Sequence, residues 1–162
     1  SEMCIRDRLY DVLDVVGRRF QEVFSQLFGG GTAQIVLTDP DNILTGGIDF
    51  YIQPPGKKRQ QLTLLSGGER ALTVIALLFS FLDYRPAPFC VLDEVDAALD
   101  EANVERFSSY LNRVNKETQF IVVSHRKKTM EAAEVLQGVT MVERGVSRLL
   151  TVAFEDVKED LA

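Results

Sequence analysis

The 162-residue chain holds one histidine and two cysteines. So few soft ligands leave no set from which to build a structural zinc site. Cys90 sits in the apolar run Phe89-Cys90-Val91-Leu92, where it reads as a small buried hydrophobe, and Cys4 lies far from it in sequence. Two such residues make no disulfide framework and point to a reducing cytoplasm. No run approaches the roughly eighteen apolar residues of a membrane span, so no membrane partner is expected. The opening Ser1-Glu2-Met3-Cys4-Ile5-Arg6-Asp7-Arg8 has no apolar stretch of the kind a secretory signal requires. Positive charge is also short, with a formal net charge of −6, whereas a domain that wraps DNA on its own surface is usually basic. Local clusters remain at Arg18-Arg19, Lys57-Lys58-Arg59 and Arg126-Lys127-Lys128, each of which reads first as a solvated face or loop. Internal repeats and low-complexity tracts are absent as well.

What is present suits one globular domain, with 46% hydrophobic residues. From Leu9 to Leu27, apolar residues fall at Leu9, Leu13, Val16, Phe20, Val23 and Leu27, in steps of four and three. That seam predicts an amphipathic helix, either docked on the following domain or ending a coiled coil. Phe28-Gly29-Gly30-Gly31 stops it. Strands are predicted over Ala33 to Leu37 and Ile48 to Gln53, joined through an Asp39-Pro40-Asp41-Asn42 turn as a small antiparallel pair. The pattern then alternates: a helix over Glu69 to Tyr84, a strand over Phe89 to Leu92, a helix over Asn103 to Asn115 and a strand over Gln119 to Val123. Phe89 to Leu92 is wholly apolar, as a strand buried on both faces is, Gln119 to Val123 reads as another buried strand, and the alternation implies an α/β layer with parallel strands. Gly138 to Val152 closes with two strands about Arg144-Gly145.

Four pieces carry chemistry. Leu65-Ser66-Gly67-Gly68-Glu69 opens a helix, and its glycines let backbone N–H groups approach an anion; Ser66 equally suits a plain N-cap. Phe89-Cys90-Val91-Leu92-Asp93-Glu94 ends an apolar strand in two adjacent carboxylates, where open α/β sheets bind ligands. In a nucleotide hydrolase the first acid holds Mg²⁺ through water, and the second orients or deprotonates the attacking water. Asp96-Ala97-Ala98-Leu99-Asp100 follows as a tight turn. Ser124-His125 ends the next strand, beside the acids. A phosphate-binding loop, Gly-x-x-x-x-Gly-Lys-Ser/Thr, is missing. The one Gly-Lys pair, Gly56-Lys57, has Tyr51 in the first glycine's place and Lys58 in the hydroxyl's.

In this order the four pieces resemble the signature motif, Walker B, D-loop and switch histidine in the C-terminal lobe of ABC-superfamily ATPases. With a heptad helix and hairpin in place of an upstream Walker A, the layout resembles the SMC (structural maintenance of chromosomes) family, whose head is split by a long coiled coil. The resemblance runs from about Val15 to Val157 and is densest in Phe20-Gln21-Glu22-Val23-Phe24, Leu27-Phe28-Gly29-Gly30-Gly31, Leu65 to Leu72 and Val91 to Asp100. Gln53-Pro54-Pro55-Gly56-Lys57 and Glu101-Ala102-Asn103 are similar to the bacterial, chromosome-partitioning branch.

The resemblance implies an α/β fold, the C-terminal lobe of an ABC-type head with a mostly parallel sheet and flanking helices. Residues 9–27 would end the coiled coil and 28–162 form the lobe. Residues 1–8 do not look like coiled coil, and Met3 to Arg8 resembles translated adapter sequence, so a non-native leader is expected there. The cofactors implied are ATP and Mg²⁺. Ser66, Gly67, Gly68 and Glu69 would meet ATP held mainly by a partner head. Asp93 would help hold Mg²⁺ through water, Glu94 would activate water, His125 would contact the γ-phosphate and Asp100 would bridge the heads. Alone, without Walker A, the chain is expected to be inactive. Partners implied are the N-terminal head lobe, a second head, DNA through the complete complex, and a ScpA-like kleisin, for which Val139 to Val152 offers a surface. The protein would lie in the cytoplasm, associated with the nucleoid, in chromosome condensation and segregation. A related coiled-coil DNA-repair ATPase and a transporter nucleotide-binding domain are the alternatives.

Overall fold

The structure, a computed structural model, describes residues 2–114 and 117–153, with side chains from Cys4 to Val152. Phe154 to Leu161 lies outside the described residues, as does Asn115, where the helix predicted from Asn103 ends.

Helix α1 (Glu2–Phe28) begins inside the segment expected to be foreign, so residues 2–8 are continuous with the heptad helix. Its buried stripe is wider than the seam. Phe24 and Phe28 join Val16, Phe20, Val23 and Leu27 in the interior, while Leu9 and Leu13 are half-buried. A strict two-position seam suits a coiled coil; the extra aromatics widen the stripe to suit a helix docked on a domain. The consecutive glycines end it as expected: Gly30 N–H donates to the Ser25 carbonyl at 2.8 Å. Gly31 turns the chain with φ +85°, and a Cβ there would lie 2.4 Å from the Gln53 carbonyl oxygen, so no other residue fits. Gln21 then staples helix to sheet, donating to the Gly31 carbonyl and accepting from Ala33 N–H at 2.8 Å.

Strands β1 (Thr32–Leu37), β2 (Ile48–Gln53) and the short β3 (Gln60–Gln61) form one antiparallel sheet, with Ala33 opposite Ile52. Asp39 caps a single 3-10 turn at Pro40–Asn42 between the first two. Helix α2 (Gly67–Tyr84) is apolar along Leu72, Ile75, Ala76 and Phe79, all buried, and it packs against α1 and α3. It stops at Arg85 because Pro86 forces the preceding residue out of helical geometry, to φ −140° and ψ 93°. Strand β4 (Phe89–Asp93), helix α3 (Glu101–Leu111) and strand β5 (Gln119–Val123) make a parallel βαβ unit, with Asp93 opposite Val123. Phe79 sits at its centre, its ring 4.9 Å from that of Tyr110 and 5.7 Å from Phe120. A one-turn helix, α4 (Lys127–Glu131), follows. Strands β6 (Val135–Glu143) and β7 (Val146–Ala153) form a closing hairpin.

One expectation fails. β4 and β5 are buried on one face only: Leu92 is inside, whereas Phe89 is 60% exposed, Val91 54%, Ile121 46% and Val123 50%. The reason is that α2 and α3 cover a single side, and no other described residues supply the second layer. The β6–β7 hairpin is likewise bare, with Val139, Met141, Val142, Leu149 and Leu150 all exposed.

Candidate functional site

Three chain segments meet near the C-terminal edge of the β4–β5 pair. The first is the start of α2. Ser66 is the N-cap, and with Glu69 it closes a capping box. The Ser66 hydroxyl donates to Glu69 Oε2 at 2.8 Å and accepts from Glu69 N–H at 3.4 Å, while Ser66 N–H donates to Oε2 at 3.2 Å. Glu69 Oε1 meets Lys57 Nζ at 2.7 Å. The Lys57 ammonium holds the Glu69 carboxyl below its ordinary range; partial burial opposes this, and the bonds from Ser66 add to it. Both Glu69 oxygens are thus engaged within the chain, and Lys57 is a brace for the loop rather than a simply solvated cation.

The two glycines differ. A Cβ on Gly68 would come within 3.2 Å of the Ala98 carbonyl oxygen and 4.0 Å of Asp100 N, so the helix start packs tightly on the Asp96–Asp100 turn. Around Gly67 there is open space and solvent, and nothing in this chain requires a glycine there.

The second segment leaves β4. Asp93 is exposed, and its carboxylate has no hydrogen-bond or ion-pair partner among the described residues. Glu94 has φ +47°, the single non-glycine residue with positive φ among those described. Its N–H donates to the Val123 carbonyl at 2.9 Å, extending the parallel pairing, and its carbonyl accepts from Ala97 N–H at 3.0 Å. The sharp turn lifts the Glu94 side chain to the sheet edge, where Oε1 lies 3.9 Å from Nδ1 of His125. That is too long for a hydrogen bond but close enough for two groups to flank one ligand. The pair is an open edge: Glu94 is 63% and His125 68% exposed. Asp100 ends the turn as N-cap of α3, accepting from Asn103 N–H at 2.8 Å and from its side-chain amide at 3.3 Å.

The third segment, Ser124-His125-Arg126, is tied to the second at both ends. Ser124 Oγ donates to Asp96 Oδ2 at 2.5 Å and accepts from Arg126 N–H at 2.9 Å. Thr129 also donates to Asp96 Oδ2. Arg126 Nη2 donates to the Ala97 and Leu99 carbonyls at 3.2 and 3.0 Å. Asp96 is fully buried and Thr129 nearly so.

The structure therefore brings Glu94 to His125, and Gly68 to the turn ending in Asp100. No hydrogen bond or ion pair among the described residues joins Ser66–Glu69 to Glu94 or His125. Sequence reasoning named Asp96 within the turn and Arg126 within a basic cluster, but missed that both anchor the His125 segment to that turn. The basic cluster holds as a solvated face for Lys127 and Lys128, which lean on Glu131, but not for Arg126. Its position directly after a strand-ending Ser-His was the available signal. One free carboxylate, with no group of three or more His, Cys, Asp or Glu residues among those described, suits Mg²⁺ held through water and phosphates rather than in a protein cage.

The RecF/RecN/SMC N terminal domain family matches residues 23–148. The chain is 59% identical over 152 residues to the chromosome partition protein Smc of Bacillus subtilis (strain 168), covering 94% of this chain and 13% of that protein. It is 54% identical over 156 residues to the Smc of Lactiplantibacillus plantarum, covering 96% and 13%. The chain thus spans about an eighth of the length of these relatives. An SMC ATPase studied for ATP-driven dimerization and DNA-stimulated activation superposes with a TM-score of 0.85 at 35% identity, over 96% of this chain and 94% of that one. The Pyrococcus furiosus Smc head domain bound to the C-terminal domain of ScpA superposes at 0.86 and 35%, over 96% of this chain and 39% of that one. By family match, sequence identity and fold together, the chain belongs to the SMC family and has the fold of its ATPase head.

Proposed function

We propose that this chain is the C-terminal half of an SMC ATPase head, working at an ATP-loaded interface between two heads to drive chromosome partition. The observation that carries the reading is the pairing of Glu94 with His125 beside the free Asp93 carboxylate, at the C-terminal edge of parallel strands. In this reading Glu94 accepts the proton of the attacking water at a carboxylate oxygen, and His125 holds the γ-phosphate of the same nucleotide. Asp93 would hold Mg²⁺ through water, and the ion bound with ATP would offset phosphate charge. Ser66 and the N–H groups of Gly67 and Gly68 face outward to grip ATP seated on the opposite head, which accounts for their separation from Glu94. Asp100 would meet that head while capping α3.

The bare β4–β5 face supports a further element of the reading: an N-terminal lobe, carrying the phosphate loop, covers Phe89, Val91, Ile121 and Val123. The exposed apolar hairpin supports a kleisin site at that hairpin, the Pyrococcus furiosus head domain being one that is bound to the C-terminal domain of ScpA. DNA would be handled by the whole complex, in the cytoplasm, since this chain is acidic.

The test uses a complete head, this chain paired with an SMC N-terminal lobe. Glu94→Gln should lower hydrolysis by about 10²–10⁴-fold, as loss of a general base does, while ATP still binds and traps the engaged dimer. Ser66→Arg should block engagement instead. Hydrolysis at the wild-type rate by Glu94→Gln would show that another group is the base.

A further inference from the structure

The Asp96–Leu99 turn is gripped from two sides by the segment that carries His125. At one end the buried Asp96 carboxylate accepts from Ser124 and Thr129. At the other, the Arg126 guanidinium spans the carbonyls of Ala97 and Leu99. Ser124 and Arg126 are joined in turn, Arg126 N–H donating to Ser124 Oγ. His125 is the residue between them, so its backbone is held within a closed loop of hydrogen bonds. The carbonyl left between the two that Arg126 holds is that of Ala98, and it abuts Gly68. A displacement of His125 must therefore break these bonds or move Ala98 against the start of α2.

We infer that Arg126 is a positioning residue that couples the two nucleotide sites of the engaged dimer, transmitting the setting of His125 on one nucleotide to Gly68, which faces the other. This rests on the proposed head–head function. Both Arg126 bonds to the turn leave the one nitrogen Nη2, whose two N–H groups the planar guanidinium holds at a fixed angle, whereas a lysine ammonium is a freely rotating point donor. Arg126 touches no nucleotide in this scheme. Removal of its side chain frees the turn, so that Gly68 is no longer fixed when the second head arrives. The residue-126 N–H bond to Ser124 and the Ser124 and Thr129 bonds to Asp96 remain, so His125 keeps its place and ATP capture by a lone head is untouched.

The experiment compares Arg126→Ala and Arg126→Lys in complete heads, with two readouts. The first is ATP affinity in a Ser66→Arg background, where heads stay apart. The second is engaged-dimer affinity in a Glu94→Gln background, by sedimentation with ATP. Arg126→Ala should leave the first unchanged and weaken the second by about tenfold or more, the effect of having to order roughly one freed turn residue on engagement. Arg126→Lys should recover part of the loss, and where the alanine variant does not fold, the lysine variant against wild type decides. An equal loss of ATP affinity in separated heads would place Arg126 in its own head's site and overturn the proposal. Wild-type dimer affinity in both variants would do so as well. Failure of Glu94→Gln alone to trap a dimer would instead reject the underlying function, so the two failures are distinct.

Discussion

The contrast between Gly67 and Gly68 allows stability and function to be separated by one methyl group. A Cβ at Gly67 meets nothing within 4 Å, and the residue lies in helical backbone at the first position of α2. Alanine is favoured over glycine by up to about 1 kcal/mol inside a helix and by less in the first turn. Gly67→Ala should therefore leave the melting temperature unchanged or raise it by about 2–4 °C. In the function proposed above, the same methyl stands where the backbone would come closest to a phosphate carried by the opposite head. Losing one charge-assisted bond costs about 1.5–3 kcal/mol; two symmetric sites double that, so engagement should fall by about 10²–10⁴-fold. Gly68→Ala is the internal control, because its Cβ would sit 3.2 Å from the Ala98 carbonyl oxygen and strain the fold directly. Thermal unfolding gives the first quantity; sedimentation of the Glu94→Gln head with ATP gives the second. Unaltered engagement by Gly67→Ala, or destabilisation matching that of Gly68→Ala, would refute the argument.

The Lys57–Glu69 pair should give a pH-dependent contribution. Because the Glu69 pKa is lowered from 4.5 on folding, its stabilisation is present above that value and disappears as pH falls through the folded value. Lys57→Met should thus cost less than about 1 kcal/mol at pH 7, as for a solvent-screened pair, and the difference from wild type should vanish in acid. A melting-temperature difference constant from pH 7 to pH 3 would contradict it. On the hairpin, Val139→Glu should leave the melting temperature of the complete head unaltered, since Val139 is 72% exposed, yet abolish capture of a kleisin C-terminal domain. Retained capture in a pull-down would remove this strand from the interface.

Much of the architecture was legible because local pattern and tertiary role agree. The alternation Ile48, Phe50, Ile52 gives β2 over Ile48–Gln53, and Gln119 to Val123 gives β5. The glycine run stops α1 where a left-handed backbone is needed. The site pieces were legible as motifs, and the fold sets Glu94 beside His125 across two parallel strands. The failures have physical causes. An apolar strand states that both faces want cover, not which chain segment supplies it, so the exposure of Val91 and Val123 was hidden. Arg126 looked like its lysine neighbours because a charge run records no partners; its acceptors are backbone carbonyls, which leave no trace in composition. Helix α4 spans one turn of five residues, too short for a period to register.

Glu94 holds a backbone conformation that a glutamate adopts at a cost of roughly 1 kcal/mol or more, and that glycine or asparagine accepts with little penalty. A procedure that selects substitutions for thermal stability alone would flag this position first and replace the one carboxylate beside His125. In the proposed reading, the most readily stabilised variant of a complete head would be one that has lost its general base, and thermostabilisation of such heads should hold residue 94 fixed and seek its gains in the helices.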